Sequence, residues 1–156
     1  MQCDFDGVIF KELTLHSDKR GWLMEIFRQD ELPAEYHPVM AYVSMTNPGQ
    51  VRGPHAHESQ SDCFAFIGPS TFRLYLWDNR PDSASFGKSF VVEVGEMYPM
   101  MVVVPAGVVH AYKNIGSVEG IVYNAANRLY RGEGQTQPVD EIRYEDDPDS
   151  PFRVED

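Results

Sequence analysis

Turn-forming residues interrupt this sequence roughly every ten residues, and this spacing limits what the chain can fold into. The interruptions are combinations of asparagine, proline and glycine, at positions 47–49, 68–69, 79–81, 87, 95, 105–107, 116 and 120. Short segments between turns are typical of strands. No segment has a long, well-capped helical pattern, and the best short helical candidates lie near residues 30–35 and after Arg128.

The segments between these turns have the alternation and composition of strands. The clearest example is residues 71–77, in which Phe72, Leu74 and Leu76 share one face. Further strands, rich in β-branched and aromatic residues, are predicted over residues 89–94, 100–104 and 120–124. Many short strands with little helix favour a closed all-β fold, such as a sandwich or jelly-roll barrel, because closure removes exposed sheet edges.

Length and composition fit one globular domain. The chain has 156 residues, of which 42% are hydrophobic and 24% are charged. No internal repeat or linker divides it, so we expect a single domain over residues 1–156. Residues from about 146 to 156 form a polar stretch with the composition of a mobile tail.

The net charge narrows the range of partners. A formal net charge of −11 disfavours binding to nucleic acid or to anionic membranes, whereas a locally basic pocket could still take a small phosphorylated ligand. The longest apolar stretch, residues 97–109, is broken by prolines and a glycine and is too short to span a membrane. Cys3 and Cys63 are too few for a disulfide scaffold, so we expect a cytoplasmic protein.

The stretch Arg52-Gly53-Pro54-His55-Ala56-His57 contains the most informative polar residues. In an extended chain, residues i and i+2 point to the same side, so His55 and His57 are both expected inside the barrel if the strand begins near Pro54. Hydrogen-bonded structural histidines are one interpretation. A histidine pair beside an arginine and a glycine turn favours a functional site.

A second segment, Pro105-Ala106-Gly107-Val108-Val109-His110-Ala111-Tyr112-Lys113-Asn114, supplies a turn followed by an inward histidine. The two segments in this order resemble the two motifs of the cupin superfamily, which implies a cupin-type jelly-roll barrel. Asp62 follows His57 at a distance where cupins often place a glutamate. A site for one divalent transition metal could therefore be formed by His55, His57, Asp62 and His110.

Several stretches are similar to the dTDP-4-dehydrorhamnose 3,5-epimerases, a metal-independent branch of the cupins. Their order and approximate spacing match over residues 18–150. The matching stretches are Asp18-Lys19-Arg20-Gly21-Trp22-Leu23-Met24-Glu25, Val51-Arg52-Gly53-Pro54-His55, Phe86-Gly87-Lys88, residues 104–110 and Glu145-Asp146-Asp147-Pro148. The resemblance implies an epimerase or isomerase that needs no cofactor and acts on a dTDP-linked 4-keto-6-deoxy sugar by removing a proton next to the ketone.

The resemblance also implies roles for individual residues. His55 would remove the proton, and Tyr123 would return one to the opposite face of the sugar, so that His55 and Tyr123 face each other inside the barrel. Histidine suits the first role because it titrates near neutral pH. Arg52 or His110 could stabilise the developing enolate. The residues implied to bind substrate are Arg20, Glu25, Arg52, His57 and His110.

The resemblance further implies a homodimer, because in that family Arg20 and Glu25 often enter the pocket of a neighbouring subunit. An ordinary surface ion pair is the other interpretation of these two residues. A plain core aromatic is the other interpretation of Tyr123.

The sequence departs from the family pattern in three respects. Asp62 stands where the epimerases have a lysine that polarises the ketone. The sequence ends before the region that supplies a carboxylate to the catalytic histidine in those enzymes, and the glutamine and asparagine expected near residues 43–47 are missing. The Gly-x-His-Ala-His form also resembles the dTDP-sugar 3,4-ketoisomerases. Three alternatives therefore stay open: a 3,4-ketoisomerase, a metal-dependent cupin and a non-catalytic sugar-nucleotide-binding cupin.

Overall fold

A computed structural model describes residues 3–155, which form two five-stranded sheets and one two-stranded hairpin, all paired antiparallel. The first sheet has the order β1-β9-β6-β11-β4, the second has the order β12-β5-β10-β7-β8, and β2 pairs with β3. The strands are β1 (Ile9–Glu12), β2 (Leu15–Asp18), β3 (Gly21–Met24), β4 (Met40–Thr46), β5 (Val51–Ala56), β6 (Asp62–Phe66), β7 (Thr71–Asp78), β8 (Ser89–Gly95), β9 (Met100–Val104), β10 (Val108–Asn114), β11 (Gly120–Ala126) and β12 (Ile142–Arg143).

Helical structure within residues 3–155 is limited to single 3-10 turns. They lie at Gln29–Glu31, Ala34–Tyr36, Glu133–Gln135 and Tyr144–Asp146. The predicted all-β fold with little helix is therefore confirmed. In the same part of the chain, no helix has the length and apolar character needed to cross a membrane.

The hydrophobic core lies between the two sheets. Phe64 and Phe66 of β6 point inward from the first sheet and meet Phe72, Leu74 and Leu76 of β7 in the second. Each of the three β7 side chains is 0% exposed, which confirms the face predicted from the alternation of residues 71–77. Burial of apolar surface from both sheets is the main stabilising contribution to such a fold.

Polar side chains also connect the two sheets near one end of the barrel. Ser44 Oγ of β4 lies 3.1 Å from Tyr112 Oη of β10. Asn114 Nδ2 of β10 donates to the Thr46 carbonyl at 2.8 Å, and Arg52 Nε of β5 donates to Thr46 Oγ1 at 3.0 Å. These bonds fix β4 across the interior from β5 and β10, so the ends of the three strands surround one space.

A second hydrophobic cluster covers the outer face of the first sheet. Cys63 and Ala65 are buried there, and Ile67 packs against them, so the three share one face as their spacing predicts. Leu13 and Leu32 of the N-terminal segment lie over this face. The outward side chains of β4 stay uncovered, and Val43 and Met45 are exposed.

The C-terminal segment covers one edge of the second sheet. Strand β12 pairs with β5, and Asp140 just before it accepts hydrogen bonds from the backbone N–H groups of Glu58, Ser59 and Gln60 at 2.7–2.9 Å. Beyond the strand, the Phe152 ring packs against Tyr144 at 4.8 Å between ring centroids. Residues 137–145 are thereby held as a strap beside the barrel opening.

Candidate active site

A cavity of about 860 Å³ opens between β4, β5 and the strap formed by residues 137–145. This volume lies within the usual range for a small-molecule site. His55 and His57 line it from β5 and the residue that follows β5, and Tyr42 and Ser44 line it from β4. The cavity therefore has one wall from each sheet, with the strap as a third side.

Three imidazole rings cluster at this wall. The centroid of the His55 ring lies 5.9 Å from that of His57 and 4.5 Å from that of His110. One nitrogen from each ring lies within 4.8 Å of the others. The expectation that His55, His57 and His110 converge inside the barrel is met, because β5 and β10 are neighbours with His55 opposite His110.

Gly53 allows this close pairing of β5 with β10. Its φ of +81° lies in the left-handed region, and a Cβ at this position would lie 2.5 Å from the backbone oxygen of His110. A side chain here would push the two histidine-bearing strands apart. The glycine in the Arg52-Gly53-Pro54-His55 stretch is therefore required by the geometry of the site.

Asp62 lies beneath the histidines and is 1% exposed. Its Oδ2 atom is 3.1 Å from His57 Nε2 and 3.4 Å from His110 Nε2. Its Oδ1 atom accepts hydrogen bonds from Gln60 Nε2 at 2.9 Å and from Asn124 Nδ2 at 2.8 Å. Burial alone would raise the pKa of Asp62, but the close contacts of its carboxylate with the His110 and His57 imidazoles, and their charges, hold it well below its usual range. The carboxylate is therefore ionised.

His57 is held between this carboxylate and the strap. Its Nδ1 atom donates to the backbone carbonyl of Asp140, which leaves Nε2 facing Asp62. Burial alone would lower the pKa of His57, but the hydrogen bond to Asp62 and the charge of that carboxylate raise it to about 9. His57 thus carries a positive charge at neutral pH, next to the cavity.

His55 has the opposite electrostatic character. Burial, followed by repulsion from His110 and His57, lowers the pKa of His55 to about 2. Its Nδ1 atom faces two carboxylates of the strap, at 3.8 Å from Glu141 Oε1 and 3.9 Å from Glu145 Oε1. Arg143 lies between these acids, with Nη2 at 3.2 Å from Glu145 Oε1. His55 is therefore a neutral imidazole beside two acidic groups.

The structure does not bring Tyr123 together with His55. On β11 the side chains of Val122 and Asn124 point inward, so Tyr123 lies on the outer face beside Val43 of β4 and is 39% exposed. The expected position of Tyr123 inside the barrel is corrected by this alternation, because adjacent residues of a strand face opposite sides of the sheet. The cavity instead contains Tyr42.

The residues implied to bind substrate are divided between the cavity and the surface. Arg52 lines the cavity and donates through Nη2 to the Met45 carbonyl at 2.7 Å. Arg20 lies at the turn of the β2–β3 hairpin, where its Nε donates to Asp18 at 3.0 Å. Glu25 Oε2 lies 3.7 Å from Arg28 Nη1. Arg20 and Glu25 therefore lie outside the cavity of their own chain and do not pair with each other.

Sequence reasoning missed the strap and the tyrosine of β4. Glu141 and Glu145 approach His55 only because β12 pairs with β5, and a two-residue strand leaves no readable pattern in the sequence. Tyr42 could have been found from the alternation of β4, in which it shares a face with Ser44. Asp140 gave no sequence signal, because its partners are backbone N–H groups.

Comparison with known proteins gives a consistent result. The family model described as dTDP-4-dehydrorhamnose 3,5-epimerase matches residues 2–147. The chain is 39% identical over 111 residues to the spore coat polysaccharide biosynthesis protein SpsL of Bacillus subtilis, which covers 71% of this chain and 72% of SpsL. It is 34% identical over 121 residues to the probable low-salt glycan biosynthesis epimerase Agl13 of Haloferax volcanii, covering 77% of each.

A solved structure shares the fold at lower sequence identity. The crystal structure of a dTDP sugar isomerase from Desulfovibrio desulfuricans superposes with a TM-score of 0.82 at 20% identity, covering 96% of this chain and 91% of that one. The double-sheet barrel thus has the cupin-type fold. The chain belongs to the dTDP-4-dehydrorhamnose 3,5-epimerase family. The predicted resemblance and the predicted class of enzyme, an epimerase of nucleotide-linked sugars, are confirmed.

The lowered pKa of His55 predicts how stability depends on pH. The unfolded chain takes up a proton at this residue below about pH 6.5, whereas the folded chain does not until about pH 2, so His55 contributes a loss of stability as the pH falls. Urea unfolding at pH 6.5, 5.5 and 4.5 measures the free energy of unfolding. As the pH falls, this free energy should decrease less in His55→Gln than in the wild type, by about 1 kcal/mol per pH unit.

A matched control is His16→Gln, because His16 is exposed on β2. The free energy of unfolding of His16→Gln should change with pH as that of the wild type does. Parallel curves for His55→Gln and the wild type would show that His55 is not held neutral.

Proposed function

We propose that this protein epimerises a dTDP-linked 4-keto-6-deoxy sugar, with His55 as the base that removes a proton from the carbon next to the C4 ketone. The observation that carries the proposal is the position of His55 in the cavity wall, with its Nδ1 atom 3.8 Å from Glu141 Oε1 and 3.9 Å from Glu145 Oε1. The neutral imidazole has a free electron pair for the proton, and burial weakens it as a base by lowering its pKa. The two carboxylates offset this effect by stabilising the imidazolium that forms.

The enolate formed in this step needs positive charge close to its oxygen. The family places a lysine there, and in this chain Asp62 occupies that position and supplies no positive charge. His57 replaces the lost charge, because Asp62 keeps its imidazole protonated at the cavity wall. Arg52, which lines the same cavity, adds a second cation.

The cavity also has cationic groups that suit a diphosphate. The arginines that line it are Arg52, Arg128, Arg131 and Arg143. Four acidic residues line it as well, and two of them, Glu141 and Glu145, lie beside Arg143. Guanidinium groups bind phosphate oxygens in a bidentate geometry, so they suit the diphosphate of a nucleotide sugar.

We propose that the reaction needs no cofactor. The Oδ1 atom of Asp62 already accepts two amide hydrogen bonds, and the charge of the carboxylate is balanced by His57. A metal-dependent isomerase is the second candidate. It is favoured by one observation: His57 and His110 each direct Nδ1 to a backbone carbonyl and Nε2 to Asp62, as histidine ligands of metals often do.

We further propose that the protein works as a homodimer. Trp22 and Leu23 of the β2–β3 hairpin are exposed, as are Val43, Met45 and Tyr123 on the outer face of β4 and β11. A two-stranded hairpin is only marginally stable alone, and apolar patches of this kind mark interaction surfaces. A second subunit packed here would allow Arg20 at the hairpin turn to reach its partner's cavity.

We infer a single domain in a reducing cytoplasm. Both sheets share one core, and Cys3 and Cys63 are unpaired thiols. Cell fractionation tests the location.

Deuterium exchange tests the proposed reaction. With dTDP-4-keto-6-deoxyglucose in D₂O, the wild type should introduce deuterium at C3, C5 or both and invert the labelled carbon. His55→Asn should lower the rate of exchange by at least about 100-fold, because the base is lost, whereas His37→Asn, outside the cavity in the segment before β4, should match the wild type. Deuterium at C3 with a shifted ketone would identify a 3,4-ketoisomerase. Tight dTDP binding without exchange would identify a non-catalytic binding protein.

Metal analysis separates the two candidate mechanisms. Dialysis of the wild type against a chelator should leave its turnover unchanged, because no step of the proposed reaction uses a metal. Loss of turnover that iron, manganese, nickel or zinc restores, with near-stoichiometric metal in the untreated protein, would establish the second candidate instead.

Sedimentation equilibrium tests the dimer. The wild type should have twice the 17.7 kDa mass of one chain. Leu23→Glu places a charge on the exposed hairpin and should weaken association, whereas Val118→Glu, at an exposed position before β11, should not. A monomeric wild type at micromolar concentration would contradict the proposal.

A further inference from the structure

Inversion of a carbon centre needs a proton donor on the side of the sugar opposite the base. Our inference about that donor rests on the proposed function. His55 lies on β5 of the second sheet. The opposite wall of the cavity is formed by β4 of the first sheet. A proton donor that faces His55 must therefore come from the inward side of β4 or of a strand beside it.

Three tyrosines line the cavity, Tyr42, Tyr112 and Tyr130, and Tyr42 is the one that lies on β4. Asn124 of β11 lies opposite it in the sheet register, and Asn124 Nδ2 is 2.8 Å from Tyr42 Oη. The residue lines the cavity and is 47% exposed, so a ligand can reach it.

The hydrogen bonds of Asn124 determine which way the hydroxyl of Tyr42 points. The backbone N–H of Cys63 can only donate, and it lies 3.2 Å from Asn124 Oδ1, which fixes the orientation of the amide. The amide NH₂ group then donates one hydrogen to the ionised Asp62 at 2.8 Å and the other to Tyr42 at 2.8 Å. Because Tyr42 accepts this bond, its own hydrogen is free to point into the cavity.

We propose that Tyr42 is the proton donor of the reaction, in the role that resemblance implied for Tyr123. His55 takes the proton from one face of the carbon next to the ketone, and the electron pair of that C–H bond forms the enolate. The Tyr42 O–H bond then breaks as its proton passes to the opposite face of the same carbon, and the ketone forms again. The Tyr42 phenolate regains a proton from solvent, and the His55 imidazolium releases one.

The protonation state of Tyr42 agrees with this role. Burial, followed by the charge of Asp62, raises the pKa of Tyr42 to about 12, so the phenol is protonated at neutral pH. The hydrogen bond from Asn124 acts in the opposite direction and would stabilise the phenolate once the proton has left.

Tyr112 of β10 also lines the cavity but is more deeply buried than Tyr42. Its ring is 4% exposed and packs against Phe64, Phe66 and Phe72 of the core, at 5.5–5.9 Å between centroids. Its hydroxyl lies 3.1 Å from Ser44 Oγ. Tyr112 therefore supports β4 from the core side, whereas Tyr42 faces the open part of the cavity.

Substitution of single tyrosines tests the proposal, with exchange and inversion measured separately in D₂O. Tyr42→Phe should lower the rate of inversion by about 100-fold or more, the usual contribution of a general acid. It should keep the His55-dependent exchange of deuterium into the unchanged substrate, because the base can return deuterium to the face from which it removed the proton. Binding of dTDP, measured by calorimetry, should change by less than about threefold.

Tyr98→Phe is the matched control, because Tyr98 is exposed in the turn between β8 and β9, and it should invert at the wild-type rate. If Tyr42→Phe inverts the sugar as fast as the wild type, Tyr42 is not the proton donor. The same conclusion follows if Tyr123→Phe or Tyr112→Phe loses inversion while Tyr42→Phe stays active. A wild type that neither exchanges nor inverts would refute the proposed function itself. Thermal melting of every variant shows whether a loss comes from unfolding.

Discussion

The buried charge of Asp62 is the interaction on which the site depends. An ionised carboxylate that is taken out of water costs several kcal/mol unless it is paired and hydrogen-bonded. Asp62 meets this requirement with groups from both sheets: Asn124 on β11, His110 on β10 and His57 after β5. Removal of any one of them leaves part of the charge uncompensated, so the carboxylate determines where these side chains lie.

The two histidines on this wall of the cavity have opposite electrostatic properties. Asp62 keeps His57 protonated, whereas burial, followed by the charges of His110 and His57, keeps His55 neutral. A cation that can stabilise an enolate and a base that can form it thus lie side by side. The site therefore contains a cation on His57 although Asp62 beneath it is an acid.

Much of the fold and part of the site could be predicted from the sequence. Alternation located the core face of β7, and the i, i+2 spacing placed His55 and His57 on one wall. The predicted position of Tyr123 differs from that in the structure. It was inferred from the number of residues between His110 and Tyr123, and this number does not determine the face of β11 on which the tyrosine lies. Inward Asn124, which binds Asp62, decides that face. The strap could not be foreseen, since Asp140 is held by backbone N–H groups and Glu141 by a two-residue strand.

In this structure Asp62 holds His57 as a cation beside a neutral His55. Titration of the imidazole nitrogens by ¹⁵N nuclear magnetic resonance measures this directly. We expect His57 to lose its proton only near pH 9 and His55 to show no protonation down to the acid limit of the fold. A neutral His57 at pH 7, or a His55 that titrates near its ordinary pKa of about 6.5, would show that Asp62 does not hold the two histidines in these states.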